Sequence, residues 1–300
     1  MEDQPSQDKS MLWYLHGDER VRMLRYFVRE QMDPKLRFTV DYPEKVRIGV
    51  VISTYSSIPY LDLNLHYLVN VNHLDVLIHD DCSPDRDALI ALCLKYSPHV
   101  QLYVTRKRMW HKSHIGALGD THSFLVGLDW AKKNNFDILV KLSRRLVCTS
   151  EFASGLAKLA KESEAFTFGC YCNKDDFPIR TECMAMSVKA WSVPFQMERL
   201  ALVLKNEYPI YAEFWFHDMA RTLAYNNGSA KYRAFIEKQN LGPLYDGYAL
   251  WRDLLGVTRY TPTPRALWHL ANSEADYLAA SRKVFGERYK LEDFKRIEEF

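Results

Sequence analysis

Three hundred residues, 47% of them hydrophobic, suffice for one large α/β domain or two small ones. Forty basic groups face 38 acidic ones, for a formal charge of +2. That balance excludes an extended nucleic-acid-binding face and argues against disorder.

Taken along the chain, the polar start MEDQPSQDKS does not read as a signal peptide. Residues 11–31 place Leu12, Leu15, Met23, Leu24, Phe27 and Val28 at roughly helical spacing, broken by Gly17. An appended helical extension over residues 1–45 is expected, packed on the main domain rather than lying on a membrane. From residue 46 strands and helices alternate. VRIGVVIST (46–54) is an apolar run of the kind a strand buried on both faces needs. A helix around 60–71 follows, then the strand LDVLIHD (74–80) and a helix over 84–97 opened by acidic residues. VQLYVT (100–105) is a third strand, residues 116–135 a long helix, and FDILVKLS (136–143) a fourth strand. Ser150 stands where an N-cap belongs before the helix 151–163, and AFTFGCYC (165–172) reads as the next strand.

Successive strand–helix units imply right-handed crossovers and a mostly parallel sheet flanked by helices, with the ligand beyond the carboxyl ends of the strands. The main domain is expected over 46–270 and a C-terminal helical segment over 271–300. Tyr277, Val284, Phe285, Leu291, Phe294 and Ile297 form that segment's inner face. It would cover the domain, hold an acceptor or make a homodimer. Cysteines 82, 93, 148, 170, 172 and 183 form no CxxC pair and no Cys/His spacing suited to zinc. On buried elements they behave as small hydrophobes, which points to a reducing, cytoplasmic setting. No stretch reaches the roughly 18 uninterrupted apolar residues of a membrane span, so any membrane association would be peripheral.

VVISTYSS followed by IHDDCSPDRDAL, and then GALGDTHSFLVGLDWAKKNNFDILVKLS, resembles family-2-like glycosyltransferases of the GT-A fold over roughly residues 46–225. The resemblance implies a Rossmann-like α/β domain that binds a nucleotide-diphosphate sugar and transfers the sugar to a hydroxyl acceptor on a glycan. A uridine diphosphate sugar is the default donor. In that family the second aspartate of the DDxS motif reads the nucleotide base. Here that is Asp81, with Thr54 and Tyr55 lining the same pocket, Asp80 bracing the loop, and capping of the turn through Ser83 as the structural alternative for Asp81.

One departure stands out. Ser143, Arg144 and Arg145 occupy the place of the metal-binding Asp-x-Asp. Hard cations want carboxylate oxygens, so no metal and no other cofactor is expected. Charge growing on a departing diphosphate must still be stabilised, and a guanidinium can grip phosphate oxygens in pairs. Arg145 is preferred to Arg144 because neighbours in an extended chain point to opposite sides. Lys112, with Arg106 and Arg108, would assist at the phosphates, and a late histidine, His269, would touch the diphosphate.

Inverting transfer needs a general base. YAEFWFHDMARTLAY (211–225) places His217 and Asp218 where family members carry an acidic pair, so Asp218 is the candidate base and Glu213 its understudy. Phe214, Trp215 and Phe216 would floor the sugar site or belong to the core. A protein that has lost transfer and keeps only nucleotide or sugar binding, or scaffolding, is the competing reading.

Overall fold

The computed structural model describes residues 40–109, 117–144, 146–148, 150–164, 166–173, 177–192, 216, 248–250 and 274–294. Its centre is a mixed sheet. β1 (Ile48–Thr54), β2 (Asp75–Asp80), β3 (Val100–Val104), β4 (Ile138–Ser143), β5 (Thr167–Asn173), β6 (Phe177–Ser187) and β7 (Tyr248–Leu250) lie in the order β3-β2-β1-β4-β6-β5-β7. β1 pairs in parallel with β2 and β4, and β2 with β3. β6 alone runs against its neighbours, pairing antiparallel with both β4 and β5, while β7 is parallel to β5. The expected α/β architecture, a mostly parallel sheet with helices against it, is present.

Helices fill the crossovers. α1 (Ile58–Leu65) runs into a π-helical turn (His66–Val71), and α2 (Arg86–Lys95), α3 (Ala117–Lys133) and α4 (Phe152–Ser163) follow the next strands. β1 and β4 are buried along almost their whole length, as their apolar runs require. α3 lies unusually close to β1. A Cβ on Gly127 would stand 2.8 Å from Val51 Cγ1, so the helix can sit at this height only with glycine there. A short helix, α5 (Val188–Trp191), follows β6, and Trp191 packs with Phe124 and Phe216 in the core. Phe216 is therefore a core side chain, fully buried against Phe124 with ring centroids 5.1 Å apart.

Two expectations are corrected. Ser150 does not cap α4: the helix starts after Glu151, which makes no side-chain cap. The orphan amide of Ala153 is instead satisfied by Asn72 Oδ1 at 3.0 Å, a cap supplied from the end of the π-helical turn. Leu291 is not on the inner face of the C-terminal segment, since it is 48% exposed. α6 (Glu274–Phe285) ends at Phe285, and Gly286 turns the chain with φ of +62°, so helical spacing no longer applies beyond it. Tyr277 and Phe294 of this segment are buried, in a second cluster with Tyr60, Leu63 and Val147. Of the expected N-terminal extension, residues 1–39 lie outside the described residues; Val40 and Tyr42 belong to the main core.

Candidate functional site

The strand order places a topological switch point between β1 and β4, whose neighbouring connections leave in opposite directions. A crevice at the carboxyl ends of such strands is where open α/β sheets bind ligands. Four loops meet there, following β1, β2, β3 and β4. Backbone bonds tie three of them: the Asp81 amide donates to the Thr54 carbonyl at 2.8 Å, and the Thr105 amide to the Asp80 carbonyl at 3.0 Å.

Asp80 and Asp81 divide their work. Asp80 is fully buried and accepts from the Ser83 amide at 2.9 Å and from the Ser83 hydroxyl. Burial raises its pKa, with the nearby Asp85 and Asp81 charges adding to the effect and the Ser83 bonds opposing it. The Ser83 hydroxyl in turn accepts from the Ser56 amide at 2.6 Å, and the Ser56 hydroxyl donates to Asp85 at 2.9 Å. So Asp80 braces the β1 and β2 loops together. Asp81 does something else. Its Oδ1 accepts from the Met109 amide at 2.7 Å and from the Thr105 hydroxyl at 3.4 Å, reaching across to the loop after β3. The turn at Ser83 is thus held by Asp80 and not by Asp81.

Backbone strain collects at the same place. Ser56, Ser57 and Cys82 carry φ of 54°, 80° and 61°, although none is glycine. Such conformations persist where the surrounding bonds over-determine them, and the serine network supplies those bonds. Above these loops the Arg108 guanidinium lies 3.9 Å from the centroid of the Tyr55 ring, a cation–π stack beside Asp81.

On the β4 side, Ser143 pairs with Ser53 at the end of the sheet. The Leu146 amide donates to the Ser143 carbonyl at 3.0 Å, so the chain turns at once after the strand. This removes the alternation argument that set Arg145 above Arg144, because the extended chain stops at Ser143. Arg144 is half-buried, and its carbonyl accepts from Asn64 of α1. A hydroxyl and guanidinium groups do not fit a divalent cation at this strand end. Among the described residues no group of three or more His, Cys, Asp or Glu side chains is placed to hold a metal ion.

Beneath the loops, the seam between the sheet and α3 changes from apolar to polar. Lys141, with its side chain 2% exposed, donates to Asp120 at 2.7 Å, and the Ser53 hydroxyl donates to Ser123 at 2.7 Å. His79 and His122 share a hydrogen bond of 2.8 Å, with Tyr103 stacked on His79 at 5.3 Å. Burial, helped by His122 and Lys141, pushes the His79 imidazole down to about 3. His122 is lowered too, by burial, against the pull of Asp81. The unfolded chain therefore binds protons that the folded chain refuses as pH falls below about 6.5. Stability should be level above that pH and fall as pH drops toward 3, by at most about 1.4 kcal/mol per pH unit for one imidazole. Chemical denaturation at pH 7, 6, 5 and 4 measures the slope. His79→Phe should flatten it, and an unchanged slope would show that other groups set it.

The expected site residues thus divide. Thr54, Tyr55, Asp81, Ser143 and Arg144 come together at the crevice, the Thr54 hydroxyl donating to the Ser56 carbonyl at 2.9 Å. Lys112, Arg145, Glu213, His217, Asp218 and His269 lie outside the described residues. The sequence reading missed Ser56, Thr105, Asn64 and the Lys141–Asp120 pair, and gave Ser83 to a turn capped by Asp81 where the structure bonds it to Asp80. A lysine inside the apolar run ILVKLS was the one visible sign of the last.

No protein-family profile matches the sequence, and no curated protein does. Solved structures overlap with it loosely. One is Staphylococcus aureus TarS 1–349 in complex with UDP, at 16% identity and a TM-score of 0.33 over 41% of this chain. The overlap spans 34% of that TarS chain, so this protein matches about a third of it. The glycosyltransferase GlyE of Streptococcus pneumoniae overlaps over 83% of this chain and 62% of its own, at 12% identity and a TM-score of 0.47. The galactosyltransferase LgtC, in complex with donor and acceptor sugar analogues, overlaps over 78% and 95%, at 10% identity and 0.44. These likenesses assign neither family nor activity to this chain. Among the described residues no helix is long and apolar enough to cross a membrane.

Proposed function

We propose that the protein is a glycosyltransferase. It moves a sugar from a nucleoside-diphosphate donor, a uridine diphosphate sugar by default, to a hydroxyl of a glycan acceptor. The observation that carries this reading is the loop set at the β1/β4 switch point. On one side stand a carboxylate held in place, Asp81, and the Tyr55 ring under Arg108. On the other stands a strand end that presents Ser143 and Arg144.

The chemistry follows from these groups. Asp81 accepts from a base N–H, and a ring and guanidinium beside it offer stacking faces. As the bond from the anomeric carbon to the diphosphate oxygen breaks, that oxygen gains negative charge. Arg144 and Arg145 stabilise it by fixed N–H donors, in place of a metal ion. Asp218 takes the proton of the acceptor hydroxyl, whose oxygen attacks from the opposite face, with inversion.

A thermal-shift panel of uridine, guanosine, thymidine and cytidine diphosphates, each with manganese and with chelator, tests the reading. One nucleotide at a hundredfold excess over its Kd should raise Tm by about 5 °C or more with chelator present. A shift seen only with manganese would overturn the metal-independent mechanism. No shift with any nucleotide would leave binding or scaffolding of another kind.

A further inference from the structure

We propose that Asn64 is a positioning residue: from α1 it fixes the backbone at Arg144, and so sets the aim of the cationic turn after β4. The proposal rests on the transfer reading, because only a diphosphate gives that aim a purpose. It adds a residue on α1 that acts through the Arg144 backbone and is not itself given contact with the donor.

Three observations converge on Asn64. It is fully buried in α1, between Leu63 and Leu65, where a helix packed on a sheet would ordinarily carry an apolar side chain. A buried amide here is costly unless it is bonded. Its Nδ2 donates to the Arg144 carbonyl and, more weakly at 3.3 Å, to the Tyr60 carbonyl of its own helix. Its Oδ1 has no hydrogen-bond partner among the described residues. The amide is therefore not kept to satisfy itself. The group it serves is the carbonyl at Arg144, just where the chain leaves the strand and needs an outside donor.

The turn is gripped from its other end as well. Leu146 and Cys148 enter the main core, while Val147, 2% exposed, enters the second cluster with Tyr60, Leu63, Tyr277 and Phe294. Both grips are built on α1, since Tyr60 and Asn64 lie one turn apart on it. With Arg144 held by Asn64 and Val147 held by this cluster, the two residues between which Arg145 lies are tied to one helix. A loop so anchored can present the Arg144 guanidinium at a fixed height over the crevice. That is what stabilisation by preorganised donors requires.

Asn64→Leu keeps the volume and removes the donor; Leu61→Ala, at a fully buried neighbour facing the main core, lowers stability without touching the turn. Each is compared with wild type for Tm, for amide exchange at Leu146 and for steady-state donor hydrolysis. Asn64→Leu should speed Leu146 exchange and lower kcat by about tenfold or more, with KM changed by less than about threefold, because misplacement by an ångström is felt mainly in the transition state. Leu61→Ala should lower Tm by as much and leave kcat near wild type. Asn64→Asp, which can donate only when protonated, should lose kcat at neutral pH and regain part of it as pH falls. Equal kcat losses in the Leu61 and Asn64 variants would overturn the proposal, as would unchanged Leu146 exchange in Asn64→Leu. If wild type neither binds nor hydrolyses any nucleotide sugar, the transfer reading fails instead. The exchange result then still decides whether Asn64 orders the turn.

Discussion

Replacing Arg144 and Arg145 together by alanine is expected to lower donor turnover about a hundredfold, roughly 2.7 kcal/mol of transition-state stabilisation. The loop that carries them follows a strand locked in register with β1 through Ser53 and Ser143, at the switch point of the sheet. The sequence at that strand end, Ser143-Arg144-Arg145, offers no carboxylate to recruit a dication. If the diphosphate leaves here, its charge must fall on these guanidinium groups. Lysine at both positions should recover only part of the loss, since an ammonium keeps the charge and loses the paired grip. The single variants decide which arginine carries the effect, because the chain turns at Ser143 and strand alternation cannot rank them. Single-turnover assays in chelator, with Tm as a check on folding, provide the measurement. Turnover within about threefold of wild type in the double variant would remove the arginines from the mechanism.

The strands β1 to β4 were legible because each is a short apolar run between punctuated loops, and each was placed within about two residues of its position. β6 was not. Its sequence, FPIRTECMAMS, has no strong alternation, and its place between β4 and β5 depends on antiparallel pairing with β4 across more than 30 residues of chain. Asp81, Thr54 and Ser143 could be placed at the crevice from the sequence because a strand end in a parallel sheet is itself a positional signal. Their supports could not. Asp81 is aimed by a backbone amide at Met109, and Arg144 by an asparagine that looks like one more polar residue on a helix. Backbone donors carry no side-chain signature. The buried Lys141 needs Asp120, on a different element, and the sequence does not show that they meet.

Asp62→Ala is expected to lower stability by about 2–4 kcal/mol and to free the C-terminal segment before the sheet yields. Asp62 is fully buried on α1 and accepts from Lys95 at 2.6 Å, from the Tyr96 hydroxyl at 2.5 Å and from the Tyr289 hydroxyl at 2.7 Å, with Arg288 at 3.5 Å. Burial alone would raise its pKa, yet the hydrogen bonds from Lys95, Tyr96 and Tyr289 outweigh burial and hold it below the ordinary value. A depressed carboxylate contributes stability above the unfolded pKa near 3.8, and loses that contribution as pH falls through the folded value. Alanine leaves the buried Tyr96 hydroxyl with its 3.2 Å bond to the carbonyl of residue 62 and unties Tyr289 and Arg288 from α1. Lys95 is one-third exposed and can return to water, which keeps the loss below that of a fully buried pair. The carboxylate joins α1, α2 and the chain after α6, so its removal should act unevenly. Residues 274–294 should become open to protease and to amide exchange at denaturant concentrations where β1 and β4 stay protected. A uniform loss across the whole domain would show that the C-terminal segment is held by its aromatic cluster with Tyr60 alone. In that case Tyr60→Leu, not Asp62→Ala, would release it.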